Sequence, residues 1–590
     1  MVKQYCKYFI LFSLSLMLII FTLFRYTQAQ IESTAPITIY VAKKIITMDP
    51  TQPEATAVAV KDNHIYSVGS LDDMKTWMKE GSYTVNNAFI DDVITPGFIE
   101  AHSHWTLLAI LLNHPYVGYF DFPSANGNLP GIKTKADVIQ KLKDEDKKLA
   151  NPYIPLFAWQ YDPIYFNNAD LTTDDLDQIS KTRPIFVLNA SGHIGYANSV
   201  LLNKAGIGPL TTTKGVMKDK NGNPTGVLLE IAAMEPVLTV VLPQIMSQQA
   251  IQTGIKNAGM LAQKLGLTTV SDLFFGGANE DLWLQELKSA ANNPQYPVRV
   301  VAVYGAPILM LMEQQKAGAG FAHLNSLIAQ NSNKLRFGEV KFVVDGSIQG
   351  FTSRLNWPGY FNGAPNGIFN LDPENFKKQA LLFWQGGYPI RVHVNGDEAT
   401  DVALDTLQYL QTAAPSRSNI FVLEHDQLSS PERFKRTRDL GAYVDLFPNH
   451  IYFWGDQHYS ITLGPDRANK MDNAQDAIKN GLIYSFHTDS PITRLGPLHS
   501  MWAGVNRVTA SGRILGPNLR ISAEDALRAV TINAAYLLNL QNDIGSISVG
   551  KRADFTVLAN DPLTVPVETI KDVPVVATIS DGVVFPVTQS

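Results

Sequence analysis

The chain has 590 residues, of which 45% are hydrophobic and 17% are charged, a composition typical of a globular protein with a large core and two or more domains. Its formal charge is −6 and its basic residues do not cluster, which argues against a nucleic-acid partner. Cys6 is the only cysteine, so disulfides, thiolate metal sites and cysteine nucleophiles are excluded from the rest of the chain.

The first 29 residues have the pattern of a secretory signal peptide. Lys3 and Lys7 precede an uncharged run over residues 8–24, and a small-residue cleavage site follows at Ala29. The run approaches the length that spans a bilayer, so an uncleaved membrane anchor over residues 8–24 is the alternative. We therefore expect an exported protein, either periplasmic or secreted, or one that this segment anchors to the membrane.

Both ends of the remaining chain have strand patterns. Apolar residues alternate over residues 37–68 and are interrupted by a polar turn at residues 61–63, which predicts a hairpin. Residues 553–585 contain two more apolar runs of strand length. We predict a small β-sandwich domain that is built from residues 30–92 and 541–590.

Residues 93–540 alternate apolar strands with helical stretches, which is typical of the α/β class and of βα units around a parallel sheet. Eight candidate strands match the number in a (β/α)8 TIM barrel. The interval between the first two strands is too long for one βα unit and predicts an inserted subdomain at about residues 110–260. The candidate strands are 93–99, 268–274, 298–304, 339–344, 390–394, 420–423, 442–446 and 483–486.

Residues that bind metals follow several of these strands. Side chains two positions apart on a strand point the same way, so His102 and His104 offer two convergent nitrogen ligands. The chemistry of a barrel lies at the carboxyl ends of its strands. Each of these residues has an ordinary structural explanation by itself, but together they predict a metal site. The residues at the other strand ends are Lys341, His393, His425 and Asp489.

Nine stretches along the chain carry a family resemblance. They are PGFIEAHSH at 96–104, SGHIGYANSVLL at 191–202, GNPTGVLLE at 222–230, VKFVVDGSIQG at 340–350, HVNGDEA at 393–399, LEHDQ at 423–427, HTDSPI at 487–492, and the closing ALRAVTINAAYLL and IGSISVGKRADFTVL within 526–558. In order and spacing they resemble the amidohydrolase superfamily, and within it the amidohydrolase-3 branch of YtcJ-like and N-substituted formamide deformylase-like metal-dependent hydrolases. Glu100 stands where this family usually has Asp, at a position that is not a metal ligand.

The resemblance implies a binuclear site for two divalent ions, and Zn²⁺ is the expected metal because imidazole and carboxylate ligands suit it. Lys341 would bridge the two ions as a carboxylated lysine, a carbamate formed with CO₂. Burial and nearby cations favour the neutral amine that this reaction needs. The implied ligands are His102, His104 and Asp489 for one ion, and His393 and His425 for the other.

The implied activity is hydrolysis of a C–N bond in a small molecule, which would be an amide, a formamide or a related compound. A hydroxide that bridges the two metals would be the nucleophile. Asp489 would act as the proton shuttle, accepting the proton of the attacking water and passing it to the departing nitrogen.

Candidates for substrate binding lie in the predicted inserted subdomain. His193 belongs to a motif that resembles the family segment reaching toward the active site, although ordering its own loop is an equal alternative. Tyr196 and Trp159 are candidates for lining a pocket, with a place in the core as the alternative. Asp397 is expected to support the metal-binding loop by accepting a hydrogen bond.

Two other functions stay open at this point. A mononuclear deaminase-type enzyme would use His102, His104, one further histidine and Asp489, but it would have no need of Lys341 as a bridge. A non-catalytic binding protein on the same fold is the second alternative, since a fold does not fix a function. The sequence does not identify the substrate or the oligomeric state.

Overall fold

The computed structural model describes residues 36–78 and 82–588. The predicted signal peptide or membrane anchor lies outside these residues. Among the helices in the described part of the chain, none is both long enough and apolar enough to cross a bilayer. The largest element is a sheet of eight parallel strands, which confirms the predicted TIM barrel.

The eight barrel strands follow one another in the sheet in chain order. We label them β1 to β8. They are β1 (Phe98–Glu100), β2 (Leu267–Phe275), β3 (Arg299–Gly305), β4 (Leu335–Val343), β5 (Ile390–Val394), β6 (Phe421–His425), β7 (Tyr443–Leu446) and β8 (Tyr484–Phe486).

Alternation along these strands separates an apolar outer face from a polar interior. On β4, Val340 and Phe342 join the main hydrophobic core, whereas Lys341 between them does not. On β5, Val392 likewise belongs to this core while Arg391 is buried among polar groups. Because successive side chains of a strand point to opposite faces, this pattern directs the charged residues into the barrel.

Helices cover the outside of the barrel and contribute apolar residues to the same core. Those that lie between consecutive strands provide the crossover connections that parallel strands require, and the last three follow β8. The principal helices from β1 onward are Trp105–Leu111, Gln248–Lys264, Glu280–Ala291, Ala306–Gln315, Ala319–Ile328, Pro373–Gln385, Asp397–Ala413, Pro431–Asp439, Asn449–Gln457, Ala474–Lys479, Pro497–Asn506, Ala523–Ala529 and Ile532–Leu537.

Strands from both ends of the described chain form a second sheet of seven strands, at the place where a terminal β domain was predicted. The predicted hairpin is present, and Asp62 and Asn63 form its turn with left-handed φ angles of 49° and 64°. In spatial order the strands are Val583–Pro586, Val575–Ser580, Phe555–Leu558, Tyr83–Pro96, Ile37–Ile46, Glu54–Lys61 and His64–Gly69.

The first barrel strand is shorter than predicted. Residues 93–96 belong to the terminal sheet, where Pro96 pairs with Phe555. Gly97 lies between the two sheets. Only glycine fits there, because a Cβ at this position would lie 2.2 Å from Oγ1 of Thr268. The prediction of one continuous strand over 93–99 was therefore wrong, since two apolar runs on either side of a Pro-Gly break belong to different sheets.

The barrel closes through residues that follow β1 and β8 rather than through the strands themselves. The amide of Asp489 donates to the carbonyl of His102 at 3.2 Å, and the amide of His104 donates to the carbonyl of Ser490 at 2.7 Å. The Glu100 carboxylate accepts hydrogen bonds of 2.8 Å from both the amide and the hydroxyl of Thr488. We call this set of contacts the closing seam.

The long β1–β2 connection has its own sheet and its own hydrophobic core. The helices within it are Lys135–Lys148, Thr173–Asp177, Ser199–Lys204 and Glu230–Ile245. Its sheet contains, in spatial order, Val216–Lys218, Pro224–Leu229, Ile194–Ala197, Ile185–Asn189 and Leu156–Tyr161. A short hairpin of Phe122–Ser124 and Gly127–Leu129 precedes them.

A buried charge cluster joins the barrel to the terminal sheet and generates a stability prediction. Arg299, on β3, donates to Asp554 at 2.7 Å and to Asp581 at 3.3 Å. Arg299→Met would leave the buried carboxylate of Asp554 without its cation, whereas Asp581 would keep Arg552 at 3.0 Å. We therefore expect a loss of about 3–5 kcal/mol in the free energy of unfolding, measured by urea denaturation. Arg336→Met is the control and should cost less than about 1 kcal/mol, because its partner Asp543 is exposed.

Candidate metal centre

Six side chains from five strand ends converge at the mouth of the barrel. His102 and His104 follow β1, and their Nε2 atoms lie 3.3 Å and 3.2 Å from Oδ1 of Asp489, which follows β8. Burial by itself would raise the pKa of Asp489, but the neighbouring His102, His104 and His425 hold that pKa well below its usual value. The carboxylate is therefore ionised and available as a ligand.

A second pair of histidines lies beside this group. Nε2 of His425, from β6, is 3.0 Å from Nδ1 of His393, from β5. Nδ1 of His425 is 4.0 Å from Oδ2 of Asp489, so Asp489 lies between the two histidine pairs. Burial, the neighbouring charges and, for His393, the nearby Lys341 hold the pKa of both imidazoles well below its usual value. Both rings are therefore neutral, which is the form that binds metals.

Lys341 projects from β4 into the centre of this cluster. Its Nζ lies 3.5 Å from Nε2 of His102 and is buried. Burial lowers the pKa of Lys341 to about 8. Within the described residues, no carboxylate lies within ion-pair distance of this amine. The environment therefore favours the neutral amine much more than water does.

Three residues of the site adopt left-handed backbone conformations although none of them is glycine. They are His425 with φ of 70°, Asp489 with φ of 51° and Glu230 with φ of 66°. Such conformations cost energy and persist only where the surrounding structure enforces them. On β6, consecutive residues would point to opposite faces in a regular strand, so the turn at His425 allows both Glu424 and His425 to reach the polar interior.

Glu424 connects the metal cluster to the charges inside the barrel. One carboxylate oxygen accepts from Nδ1 of His102 at 2.5 Å, and the other accepts a short hydrogen bond from Nε of Arg391. Burial opposes ionisation, but Arg391 and His102 hold the pKa of Glu424 well below its usual value. The carboxylate therefore fixes the proton of His102 on Nδ1 and leaves Nε2 free as a ligand.

The supporting role predicted for Asp397 belongs to Asp345 instead. Asp397 accepts from the amide of Asn356, which lies away from the histidine cluster. Asp345, from the segment after β4, accepts from the amide of Asn395 at 3.0 Å and lies 3.7 Å from Nε2 of His393. The prediction for Asp397 was wrong, because its carboxylate contacts Asn356 and Arg433 rather than a histidine of the cluster.

His193 is brought from the inserted segment to the edge of the cluster. Its ring centroid lies 5.0 Å from that of His393, and its Nδ1 lies 2.8 Å from Oε2 of Glu230. The same oxygen of Glu230 accepts from the side-chain Nδ2 of Asn370 at 2.9 Å. The Glu230 carboxylate thus holds the His193 ring in one orientation, and Nε2 of His193 has no hydrogen-bond partner among the described residues.

The other two candidates for substrate binding lie in hydrophobic cores. Tyr196 is fully buried in the core of the inserted segment, and its hydroxyl bonds to Asn189 and Asp170. Trp159 is also fully buried, and its Nε1 donates to the carbonyl of His114. These contacts satisfy the polar atom of each side chain. Both residues are therefore part of the hydrophobic core, which was the alternative to a place in a pocket.

The sequence analysis also missed several residues of the site. Glu230, Asp345 and Arg391 were not predicted, because acidic and basic residues inside strands or loops carry no local signal for their partners. His487 stacks on His102, with ring centroids 4.5 Å apart and an angle of 11° between the planes. For His487 the sequence did predict a supporting role, because this residue lies two positions before Asp489.

Several buried polar atoms in the cluster suit a metal. Nδ1 of His425 and both nitrogens of His487 have no hydrogen-bond partner within the described part of the chain. Unpaired buried nitrogens are costly, and facing imidazole nitrogens 3.0 Å apart are more stable when a cation lies between or beside them. Among the described residues, three sets of ligand atoms lie within 4.8 Å of one another: His102, His104 and Asp489; His102, His425 and His487; His102, Glu424 and Asp445.

The model of the amidohydrolase family matches residues 91–586 of this chain. The chain belongs to the amidohydrolase family. With the clustered histidines and aspartate, this membership makes it a hydrolase of the metal-dependent amidohydrolase superfamily, with His and Asp groups able to bind a metal.

Relatives of known name match over most of their length. The N-substituted formamide deformylase of Arthrobacter pascens is 24% identical over 91% of this chain and 96% of its own. The putative amidohydrolase YtcJ of Bacillus subtilis is 26% identical over 88% and 94%, respectively. The protein LONG AFTER FAR-RED 3 of Arabidopsis thaliana is 28% identical over 88% and 86%.

Solved structures confirm the fold. An uncharacterized metal-dependent hydrolase from Pyrococcus horikoshii has a TM-score of 0.69 at 21% identity, covering 90% of this chain and 99% of its own. A second one, from Pyrococcus furiosus, has a TM-score of 0.66 at 20% identity, with coverage of 90% and 100%.

The bond between Glu424 and His102 generates a prediction about metal affinity. Glu424→Gln keeps the size of the side chain but removes the charge that fixes His102, so we expect metal affinity to fall by about tenfold to a hundredfold. Competition with a chelator measures this affinity. Glu339→Gln is the matched control, because Glu339 pairs with Arg391 rather than with a histidine, and its metal affinity should stay within about twofold.

Proposed function

We propose that this protein hydrolyses the C–N bond of an amide, formamide or related small molecule at a pair of divalent metal ions. The observation that carries the proposal is the convergence of four histidines, one lysine and one aspartate from five strand ends around a single point. The residues are His102, His104, Lys341, His393, His425 and Asp489.

The arrangement favours two ions over one. His102, His104 and Asp489 form one ligand set, and His393 and His425 form a second set on the other side of Asp489. Zn²⁺ suits both sets because it prefers imidazole and carboxylate ligands. Lys341 lies next to His102, where a group that reaches both sets is needed.

A carbamate on Lys341 would provide that group. The neutral amine attacks the carbon of CO₂, a new N–C bond forms, and one proton is released. The product carries two oxygens and a negative charge in place of a cation. Burial, which lowers the pKa of Lys341 to about 8, supports this reaction because only the neutral amine has the required lone pair.

Cations held by His102, His104, His393, His425 and Asp489 would lower the pKa of a bound water and polarise the carbonyl of the substrate. The protein contributes the movement of the proton. Asp489 is ionised and lies at the mouth of the barrel, so its carboxylate accepts the proton of the attacking water. It then donates this proton to the departing nitrogen, which leaves as a neutral amine.

His193 would bind the substrate beside this centre. Its ring lies next to His393, and Glu230 fixes its orientation, so Nε2 can donate to the carbonyl oxygen of a bound amide. The inserted segment would thereby add one hydrogen-bond donor to a site that the barrel otherwise builds alone.

Metal analysis and activity assays test the proposal together. Lys341→Met removes the bridge, so we expect the protein to lose metal and to lose at least about a hundredfold in activity toward a panel of N-formyl and N-acetyl amines. Metal content is measured by plasma mass spectrometry. Lys334→Met is the matched control, because Lys334 is also a buried lysine but donates to the carbonyl of Tyr296 at the opposite end of β4.

The same measurements distinguish the alternatives. About two equivalents of metal support the binuclear enzyme, whereas one equivalent together with release of ammonia would support a mononuclear deaminase. A protein that binds metal but hydrolyses none of these amides would contradict the proposed reaction and favour a binding role.

A change at His193 separates substrate binding from metal binding. His193→Asn should leave the metal content unchanged and lower kcat/KM by about tenfold or more, because one hydrogen bond to the substrate is lost. His323→Asn is the control, since His323 forms a comparable pair with Glu280 on the outer helices. Loss of metal in His193→Asn would contradict a role in substrate binding.

A further inference from the structure

The helix Asn449–Gln457, which follows β7, supplies a histidine beside the candidate metal centre. The ring centroid of His450 lies 6.4 Å from that of His425 and 4.1 Å from that of Phe447. β7 lies between β6 and β8 in the sheet, and the proposed ligands that follow those two strands have no counterpart after β7. His450 is therefore a polar residue at the mouth of the barrel that the proposed metal chemistry leaves unused.

A buried carboxylate holds one edge of this ring. Nδ1 of His450 lies 3.2 Å from Oδ1 of Asp472. The backbone of Asp472 is itself anchored, since its amide donates to the carbonyl of Gln427 and its carbonyl accepts from Nη1 of Arg507, both at 3.0 Å. Burial raises the pKa of Asp472, but His450 and Arg507 act against this effect and favour the carboxylate. A carboxylate beside Nδ1 fixes the proton on that nitrogen and leaves a lone pair on Nε2.

The other edge of the ring is unpaired. Nε2 of His450 forms no hydrogen bond with the described part of the chain, although the residue is only 2% exposed. This nitrogen is not closed off from solvent, in contrast to Nδ1 of His425. At the carboxyl end of the same helix, His458 has both nitrogens paired, with Thr462 at 2.7 Å and Gln427 at 3.1 Å. His458 is thus a satisfied core residue, whereas His450 keeps one nitrogen available for a ligand.

Two imidazoles of this kind lie beside the histidine pair of the second ligand set. The ring centroid of His193 lies 5.0 Å from that of His393, and the ring of His450 lies beside that of His425. In both outer rings a carboxylate holds Nδ1. A trans amide directs its carbonyl oxygen and its N–H group to opposite sides of the C–N bond. A substrate bound at this pair can therefore offer one polar group to each outer imidazole.

We propose that Nε2 of His450 accepts a hydrogen bond from the N–H group of the bound amide, and that this contact makes the protein favour an amide over an ester of the same shape. The inference rests on the proposed C–N hydrolysis, since it concerns recognition of the substrate at the same site. His193 would donate to the carbonyl oxygen, so the two imidazoles together hold both polar groups of the amide. An ester would leave the acceptor of His450 unpaired, and such a mismatch is strongly unfavourable.

The contact is tested on the metal-loaded full-length protein with two compounds of the same length, N-propylformamide and propyl formate. They differ in whether an N–H group or an oxygen atom follows the carbonyl carbon. His450→Asn keeps a donor for Asp472 but loses the acceptor at Nε2. We expect this variant to lower kcat/KM about tenfold or more for the amide and less than about twofold for the ester, with an unchanged metal content.

Two further variants complete the test. Asp472→Asn leaves His450 in place but removes the charge that fixes its proton, so it should lower the amide reaction more than the ester reaction, by a smaller factor. His458→Asn is the matched control, because His458 is a buried histidine with both nitrogens paired, and it should leave the ratio of the two reactions unchanged. Circular dichroism verifies that each variant is folded, and Asp472→Asn keeps the test decisive if His450→Asn does not fold.

An equal loss for the amide and the ester in His450→Asn would overturn the inference, because a structural role affects both compounds alike, and so would an unchanged amide reaction. If the natural protein does not cleave the amide, the proposed C–N hydrolysis is contradicted, and dissociation constants from calorimetry then replace kcat/KM in the same comparison. Binding of the amide that weakens selectively in His450→Asn would keep the contact without the hydrolysis. Binding that weakens equally for both compounds, or for neither, would overturn the contact as well.

Discussion

The metal cluster depends on one buried carboxylate, that of Glu424. It lies between the guanidinium of Arg391 and the imidazole of His102, in a space where isolated charges are very unfavourable. Burial raises the pKa of Glu339 to about 7 and that of Asp445 well above its usual value, so Glu424 is the neighbour that stays ionised opposite Arg391. The charge inside the barrel thus orients the first ligand at its mouth.

The same strand ends that hold the ligands also close the barrel. The closing seam pairs the backbone of His102 with that of Asp489, and Glu100 bonds to Thr488 directly below them. The Glu100 carboxylate fits this role because its two oxygens accept from both donors of Thr488. Closure of the sheet and assembly of the ligands are therefore one structural event, and left-handed backbone at Asp489 is enforced by it.

The barrel strands could be predicted because apolar runs of strand length recur between helical stretches, and the ligands because they follow those runs. The break at Gly97 could not be predicted, since two consecutive apolar segments have the same sequence pattern whether they belong to one sheet or to two. Trp159 and Tyr196 show why aromatic residues of a binding site are hard to predict from sequence. An aromatic ring can line a pocket or pack in a core, and only its three-dimensional neighbours distinguish the two. Glu230 and Asp345 were missed because a charged residue is informative only once its partners are known.

The terminal sheet has a consequence for how the polypeptide is made. The strand Phe555–Leu558 pairs with Tyr83–Pro96, so a ribosome must synthesise nearly the whole protein before that pairing is possible. Because synthesis proceeds at ~5–20 residues per second, the edge of the strand Tyr83–Pro96 stays unpaired for tens of seconds. Unpaired strand edges promote aggregation, so we expect chaperones to bind this edge mainly during that interval. This pairing therefore forms late relative to the synthesis of the barrel.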